Sequence, residues 1–148
     1  MAEPLQRTIR VRCPVDHAFH VFTSRVDLWW PSGHRRFAVS QLTLEARVGG
    51  RFVERSDAGE EALLGEVMGC EPPHRIRYTW YPGAIEHPTL VDVCFEEDGE
   101  ETVVKVIHTE GDSQLGDAWP SRVRLFERGW THVLDALAEH IAGEHEGG

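Results

Sequence analysis

Four side chains stand out as able to do acid–base or hydrogen-bonding work: His108, Tyr78, Glu54 and His34. His108 ends the alternating run Thr102, Val104, Val106, His108, so its imidazole shares the apolar face of that run. There it would orient a ligand carbonyl or act as a general base with a pKa tuned by burial. The competing role is structural, a histidine hydrogen-bonded to backbone at a sheet edge. Tyr78 lies between Ile76 and Trp80 on one face, and offers either a phenol hydroxyl to a cavity or a buried structural hydrogen bond. Glu54 alternates with Phe52 against the set Val53 and Arg55. Either set places a charged group near the interior or pairs it at the rim, and period alone does not decide which faces in. His34, in the loop Pro31-Ser32-Gly33-His34, is placed to meet a ligand at an entrance or simply to be solvated.

The aromatic residues are the second group. The five tryptophans fall at 29, 30, 80, 119 and 130. Trp80 and Trp130 belong to inward-facing sets by period, where core packing is the simpler role, most clearly for Trp130 in the middle of a helical stripe. Trp29, Trp30 and Trp119 flank breaks in the pattern, where cavity mouths and ligand contacts concentrate, and core packing is the equal alternative.

Several apparent sites dissolve on inspection. His17 and His20 are spaced i, i+3 on a helix, but lie off its apolar stripe and have no Cys or carboxylate spaced to complete a metal site. Glu96, Glu97, Asp98, Glu100 and Glu101 flank a hairpin turn and are expected to be solvated. No Ser-His-Asp signature, phosphate-binding glycine loop or CxxC pair occurs, and nothing demands catalysis, a metal or a cofactor. The three cysteines, Cys13, Cys70 and Cys94, are odd in number and read as reduced thiols. A formal net charge of −10 argues against tracking a nucleic-acid backbone. The absence of a long apolar run argues against a membrane span, and Met1 to Arg12 lacks the apolar centre of a signal peptide, so the expected compartment is the cytoplasm.

The elements that must position these residues follow from periodicity. At 148 residues and 41% hydrophobic content the chain suits one globular domain with a core of its own. Ile9 and Val11 suggest a first strand; Val15, Ala18, Phe19 and Phe22 form the stripe of a short helix after Pro14; Asp27 to Trp30 suit a second brief helical or turn segment. From Leu42 the period becomes two, with breaks at Val48-Gly49-Gly50, Ser56 to Gly59, Glu71 to His74 and Asp98-Gly99. Val91, Val93 and Phe95 share one face of the strand before the last hairpin. Phe126, Trp130, Val133, Leu134, Leu137 and Ile141 then line one side of a helix expected from about Trp119 to Ala142. This order predicts an α+β fold with one antiparallel sheet of about seven strands, curved, with helices against one face.

These pieces together resemble the START-like, or SRPBCC, superfamily, and within it the homologues of the activator of heat-shock protein 90 ATPase. The resemblance rests on Pro14-Val15-Asp16-His17-Ala18-Phe19, Leu28-Trp29-Trp30-Pro31, Val48-Gly49-Gly50-Arg51-Phe52, Gly65-Glu66-Val67, Pro72 to Trp80, Thr102 to His108 and Gly129-Trp130. It implies a helix-grip fold over residues 1–143 and a hydrophobic cavity roofed by the C-terminal helix, while the polar, glycine-rich composition of the end predicts a flexible tail at 144–148. It also implies a family that binds lipids, polyketides, hormones or other apolar molecules, some members being cyclases or hydrolases. The eukaryotic co-chaperone carries an additional N-terminal domain for which this sequence leaves no room. The expected function is therefore non-enzymatic binding of a small hydrophobic molecule by Trp29, Trp30, His34, Tyr78, Trp80, Val93, Phe95, His108, Trp119, Phe126 and Trp130. Two alternatives remain: a cyclase- or hydrolase-like enzyme using His108, and a co-chaperone or interaction module presenting an exposed Leu28-Trp29-Trp30-Pro31 segment to a chaperone. A second copy of the chain is a further candidate partner; nucleic acid and membrane are not.

Overall fold

The structure, a computed structural model, describes residues 5–31, 37, 39–80, 89–109 and 119–146, with side chains in the last helix described from 126 to 143. The chain runs β1 (Leu5–Val11), α1 (Val15–Ser24), α2 (Val26–Trp29), β2 (Ser40–Leu44), β3 (Arg51–Ser56), β4 (Glu61–Glu71), β5 (Arg75–Trp80), β6 (Thr89–Asp98), β7 (Glu101–Thr109) and α3 (Trp119–Glu146). The seven strands form one antiparallel sheet in the order β1-β7-β6-β5-β4-β3-β2, curled into a half-barrel against α3. This is the expected α+β helix-grip architecture. The helix continues to Glu146, past the end expected at Ala142.

Each strand turns where the local chemistry favours it. The hairpin between β6 and β7 closes at Gly99, whose φ of 64° lies in the left-handed region that glycine enters without a Cβ penalty. Thr102, Val104, Val106 and His108 are fully buried while their neighbours are not, as period two requires. Register then carries this inward set sideways: Val67 opposes Tyr78, Tyr78 opposes Val91, Val91 opposes His108, and His108 opposes Leu5. All five are buried, so a single row of side chains crosses the concave face under the helix.

The helices cover that face with apolar stripes. Val15, Ala18, Phe19 and Phe22 of α1 are buried, and Phe19 and Phe22 meet Phe95 edge-on with ring centroids 5.3 and 5.6 Å apart. On α3, Trp130, Val133, Leu134, Leu137 and Ile141 are buried, whereas Arg128, Asp135 and Glu139 are exposed. The convex face is polar. There Arg75 holds Asp92 through Nε at 2.8 Å and a second, shorter contact, and Arg77 lies 3.5 Å from the same carboxylate. Cys13, Cys70 and Cys94 form no disulfide among the described residues. No described helix is long and apolar enough to cross a membrane.

One glycine is fixed by close approach. A Cβ at Gly65 of β4 would stand 1.8 Å from the backbone oxygen of Thr79, and Thr79 also accepts the Glu66 amide on its hydroxyl at 2.9 Å. The register between β3 and β4 shifts beside it, between Phe52 and Val53. Gly65→Ala is therefore expected to lower stability by about 2 kcal/mol or more, the cost of forcing apart packed backbone. Urea denaturation of the variant checks this, and an unchanged midpoint would mean that β4 and β5 separate freely here.

Candidate functional site

Two polar side chains of the interior, Thr89 and His108, meet at one end of the concave face, where β5 ends, β6 begins and β7 ends. Thr89, the first residue of β6, opposes Trp80 at the end of β5. It shares the inward parity of Val91, Val93 and Phe95 and is fully buried. Its hydroxyl lies 2.7 Å from His108 Nε2 and 3.2 Å from the Trp80 carbonyl oxygen. The other imidazole nitrogen, Nδ1, is 3.0 Å from Trp130 Nε1 of α3.

These contacts determine where the protons sit. An indole N–H is only a donor, so His108 Nδ1 must accept, and the ring's own proton is on Nε2. That N–H donates to the Thr89 hydroxyl, which in turn donates to the Trp80 carbonyl. The imidazole is neutral in this arrangement, and burial pushes its pKa down from 6.5 to about 3. Phe126 stacks on the same ring with centroids 4.4 Å apart. His108 thus lies in an interior strand, between β1 and β6, and is held by side chains of Thr89 and Trp130 rather than by backbone at a sheet edge. Thr89 carried no functional expectation. Its parity with Val91 and Val93, a hydroxyl in an otherwise apolar set, was the available signal.

Next in this wall are aromatic rings. Trp30 packs against Phe52 at 5.6 Å, Trp80 at 6.0 Å and Trp130 at 6.3 Å, joining sheet, helix and the segment after α1. Phe52 also meets Tyr78 and Trp80, each at 5.6 Å. Tyr78 is completely buried, and its hydroxyl has no hydrogen-bond partner among the described residues. Burial raises its pKa, so the phenol keeps its proton. An unmatched buried hydroxyl costs on the order of 1–3 kcal/mol. Trp80 and Phe126, although they face this interior, are only partly buried. Solvent therefore reaches the aromatic wall at the end where Thr89 and the start of α3 lie.

The remaining expected residues divide clearly. Val93 and Phe95 are buried on the concave face. Trp29 and Trp30 are 5% and 6% exposed, and Trp29 donates to the Val21 carbonyl at 2.8 Å. This overturns the exposed aromatic segment on which the interaction-module reading relied; Leu28 alone of that pair-bearing turn is strongly exposed, at 65%. Trp29 lies within α2, and Trp119 is the first residue of α3. The side chain of Trp119, and all of His34, lie outside the described residues. The parity of β3 is resolved as well. Phe52, Glu54 and Ser56 face inward, and Glu54, 1% exposed, accepts the Phe37 amide at 2.9 Å. Glu96, Glu97, Asp98 and Glu100 are exposed as expected, Asp98 pairing with Arg10. No group of three metal-ligating side chains occurs among the described residues.

Two outcomes follow from this proton map. Between about pH 6.5 and pH 3 the unfolded chain binds a proton at residue 108 that the native protein refuses, so native stability falls as pH drops through that window. The expected slope from this group is up to about 1.4 kcal/mol per pH unit. In urea melts, His108→Phe, although less stable at neutral pH, is expected to show a shallower decline, and an identical slope would mean that the native imidazole titrates normally. Tyr78→Phe removes the unmatched hydroxyl and is expected to gain about 1 kcal/mol in the same melts; a loss of similar size would mean that the hydroxyl is hydrogen-bonded.

Comparison with known proteins gives the same architecture. Similar solved structures include a protein from Rhodobacter sphaeroides, at 19% identity and a TM-score of 0.70, aligned over 97% of this chain and 94% of that one. DynU16, a protein in the dynemicin biosynthetic locus, matches at 20% identity and a TM-score of 0.69, over 96% of this chain and 48% of its own. The anthrahydroquino-gamma-pyrone synthase Txn09 matches at 25% identity and a TM-score of 0.58, over 93% and 96% of the two chains. These neighbours share the START-like SRPBCC fold. No curated protein matches the sequence. The model of the family described as activator of Hsp90 ATPase homolog 1-like protein matches residues 12–142, and this chain belongs to that family.

Proposed function

We propose that this protein binds a small, largely apolar and partly aromatic molecule between the concave face of its sheet and α3. The observation that carries this reading is the partial exposure of Trp80 and Phe126, two inward-facing aromatic residues, at one end of an otherwise buried wall. Inward-facing aromatics gain by losing their remaining contact with water, at roughly 25 cal/mol per Å² of apolar surface. A flat ligand laid against Trp80 and Phe126 supplies that burial on both sides. Trp30 and Trp130 would flank it, with Tyr78 supplying the polar group that orients a ligand in an apolar site. The likeness to a synthase named for a pyrone-fused anthrahydroquinone supports a polycyclic ligand, because its identity to this chain reaches 25% along nearly the full length.

Catalysis by His108 has weaker support. A general base needs a free lone pair within reach of the substrate proton, and the Nδ1 lone pair is taken by Trp130 while Nε2 carries the proton. Chaperone contact through the tryptophan pair has weaker support too, since both indoles are buried.

Native mass spectrometry of the purified protein, followed by tryptophan-quenching titrations with polycyclic aromatics and lipids, tests the proposal. The expected result is a co-purifying small molecule or saturable quenching. Trp80→Ala is expected to weaken binding about tenfold, equivalent to roughly 1.4 kcal/mol. A bare protein with no quenching by any compound would sink the proposal.

A further inference from the structure

Most polar groups on the inner face already have partners. Trp29 donates to Val21, Thr23 to Phe19, Thr102 to Cys13, and Glu54 accepts from Phe37. His108, Thr89 and Trp130 satisfy one another. The Tyr78 hydroxyl does not join them, although it belongs to the row that crosses the concave face and is wholly buried. Native interiors rarely leave such a donor unmatched, and those that do so commonly mark a functional position. Around it stand Phe52 and Trp80, with Trp30 packed on both. Rings of this kind, with Trp80 partly open to solvent, form a wall that a flat molecule can replace.

Charge narrows the class of occupant further. The buried described residues include no Lys or Arg, and their carboxylates are Glu54 and Asp92, the latter paired with Arg75 on the convex face. Arg7, which approaches from the edge strand, lies half exposed at the rim and pairs with Glu127 at 3.5 Å. An anionic head group drawn into this interior would lose its hydration with no described cation to replace it. A neutral carbonyl oxygen would instead accept the phenol proton and leave nothing unmatched.

We infer that Tyr78 is the specificity-determining residue of the interior site, donating its hydroxyl proton to a carbonyl oxygen of an uncharged polycyclic ligand and selecting against anionic amphiphiles. This inference rests on the binding function proposed above. The hydroxyl is also an acceptor, but a carbonyl uses the donor that no protein group uses, at no cost in charge.

Fluorenone and fluorene provide matched probes, equal in shape and differing in one carbonyl oxygen, and fluorenone carboxylate adds a negative charge. Isothermal titration calorimetry of the intact protein is expected to show fluorenone binding about tenfold more tightly than fluorene, with the carboxylate weaker than its parent ketone. In Tyr78→Phe the ratio of fluorenone to fluorene affinity is expected to fall to about one, and a native melt shows that the variant is folded. If fluorene and fluorenone bind equally to the unaltered protein, or if the variant keeps the preference, the role of Tyr78 is overturned and the binding site stands. If the carboxylate binds as tightly as the ketone, the charge selection is overturned. Should none of the three probes bind, the binding reading itself falls, and this inference with it.

Discussion

The chain of hydrogen bonds from the Trp130 indole through His108 and Thr89 to the Trp80 carbonyl ties the terminal helix to the ends of three neighbouring strands, β7, β6 and β5, a link that the backbone ladder of the sheet does not make. It forces a single tautomer on a buried imidazole, because the indole can only give a proton and so takes the lone pair of Nδ1. A charged imidazole would have no lone pair for Trp130 and would pay full desolvation. The neutral ring and the seated helix are therefore one condition, met only in the native packing.

Beside that fixed point a connected cluster of rings is set among the aliphatic side chains of the core. Trp30 is the hinge of the arrangement: it follows a four-residue helix, yet touches β3, β5 and α3 through Phe52, Trp80 and Trp130. Aromatic side chains have few rotatable bonds and large flat faces, so exchanging one ring contact for another costs little conformational entropy compared with reordering flexible side chains. Among the described residues, the unmatched Tyr78 hydroxyl and the partly open Trp80 and Phe126 are where that packing is incomplete.

Much of the architecture was legible in the residues. Alternation through Thr102 to His108, the Asp98-Gly99 turn and the stripe from Phe126 to Ile141 gave strand, hairpin and helix because each depends on neighbours within one element. Glu54 shows the limit of that logic. The sets Phe52/Glu54 and Val53/Arg55 each mix apolar with charged, so period two fitted either face; the sheet chose the set that buries the larger ring, and the carboxylate followed it inward to meet the Phe37 amide. Trp30, for which core packing and a ligand contact were equal alternatives, shows a related limit. Its burial comes from rings 22, 50 and 100 positions further along the chain, at Phe52, Trp80 and Trp130, and local pattern has no access to such contacts.

The sequence by itself determined which side of each regular element would be apolar, and through the order of those elements the helix-grip fold, since hydrophobic burial acts on every residue separately and leaves a periodic trace. Only the tertiary structure decided which polar groups would meet. A hydrogen bond requires its atoms within about 3 Å and in line, and that depends on how β5, β6, β7 and α3 are set against one another. Thr89, His108 and Trp130 found partners under that rule, and Tyr78, facing the same interior, did not.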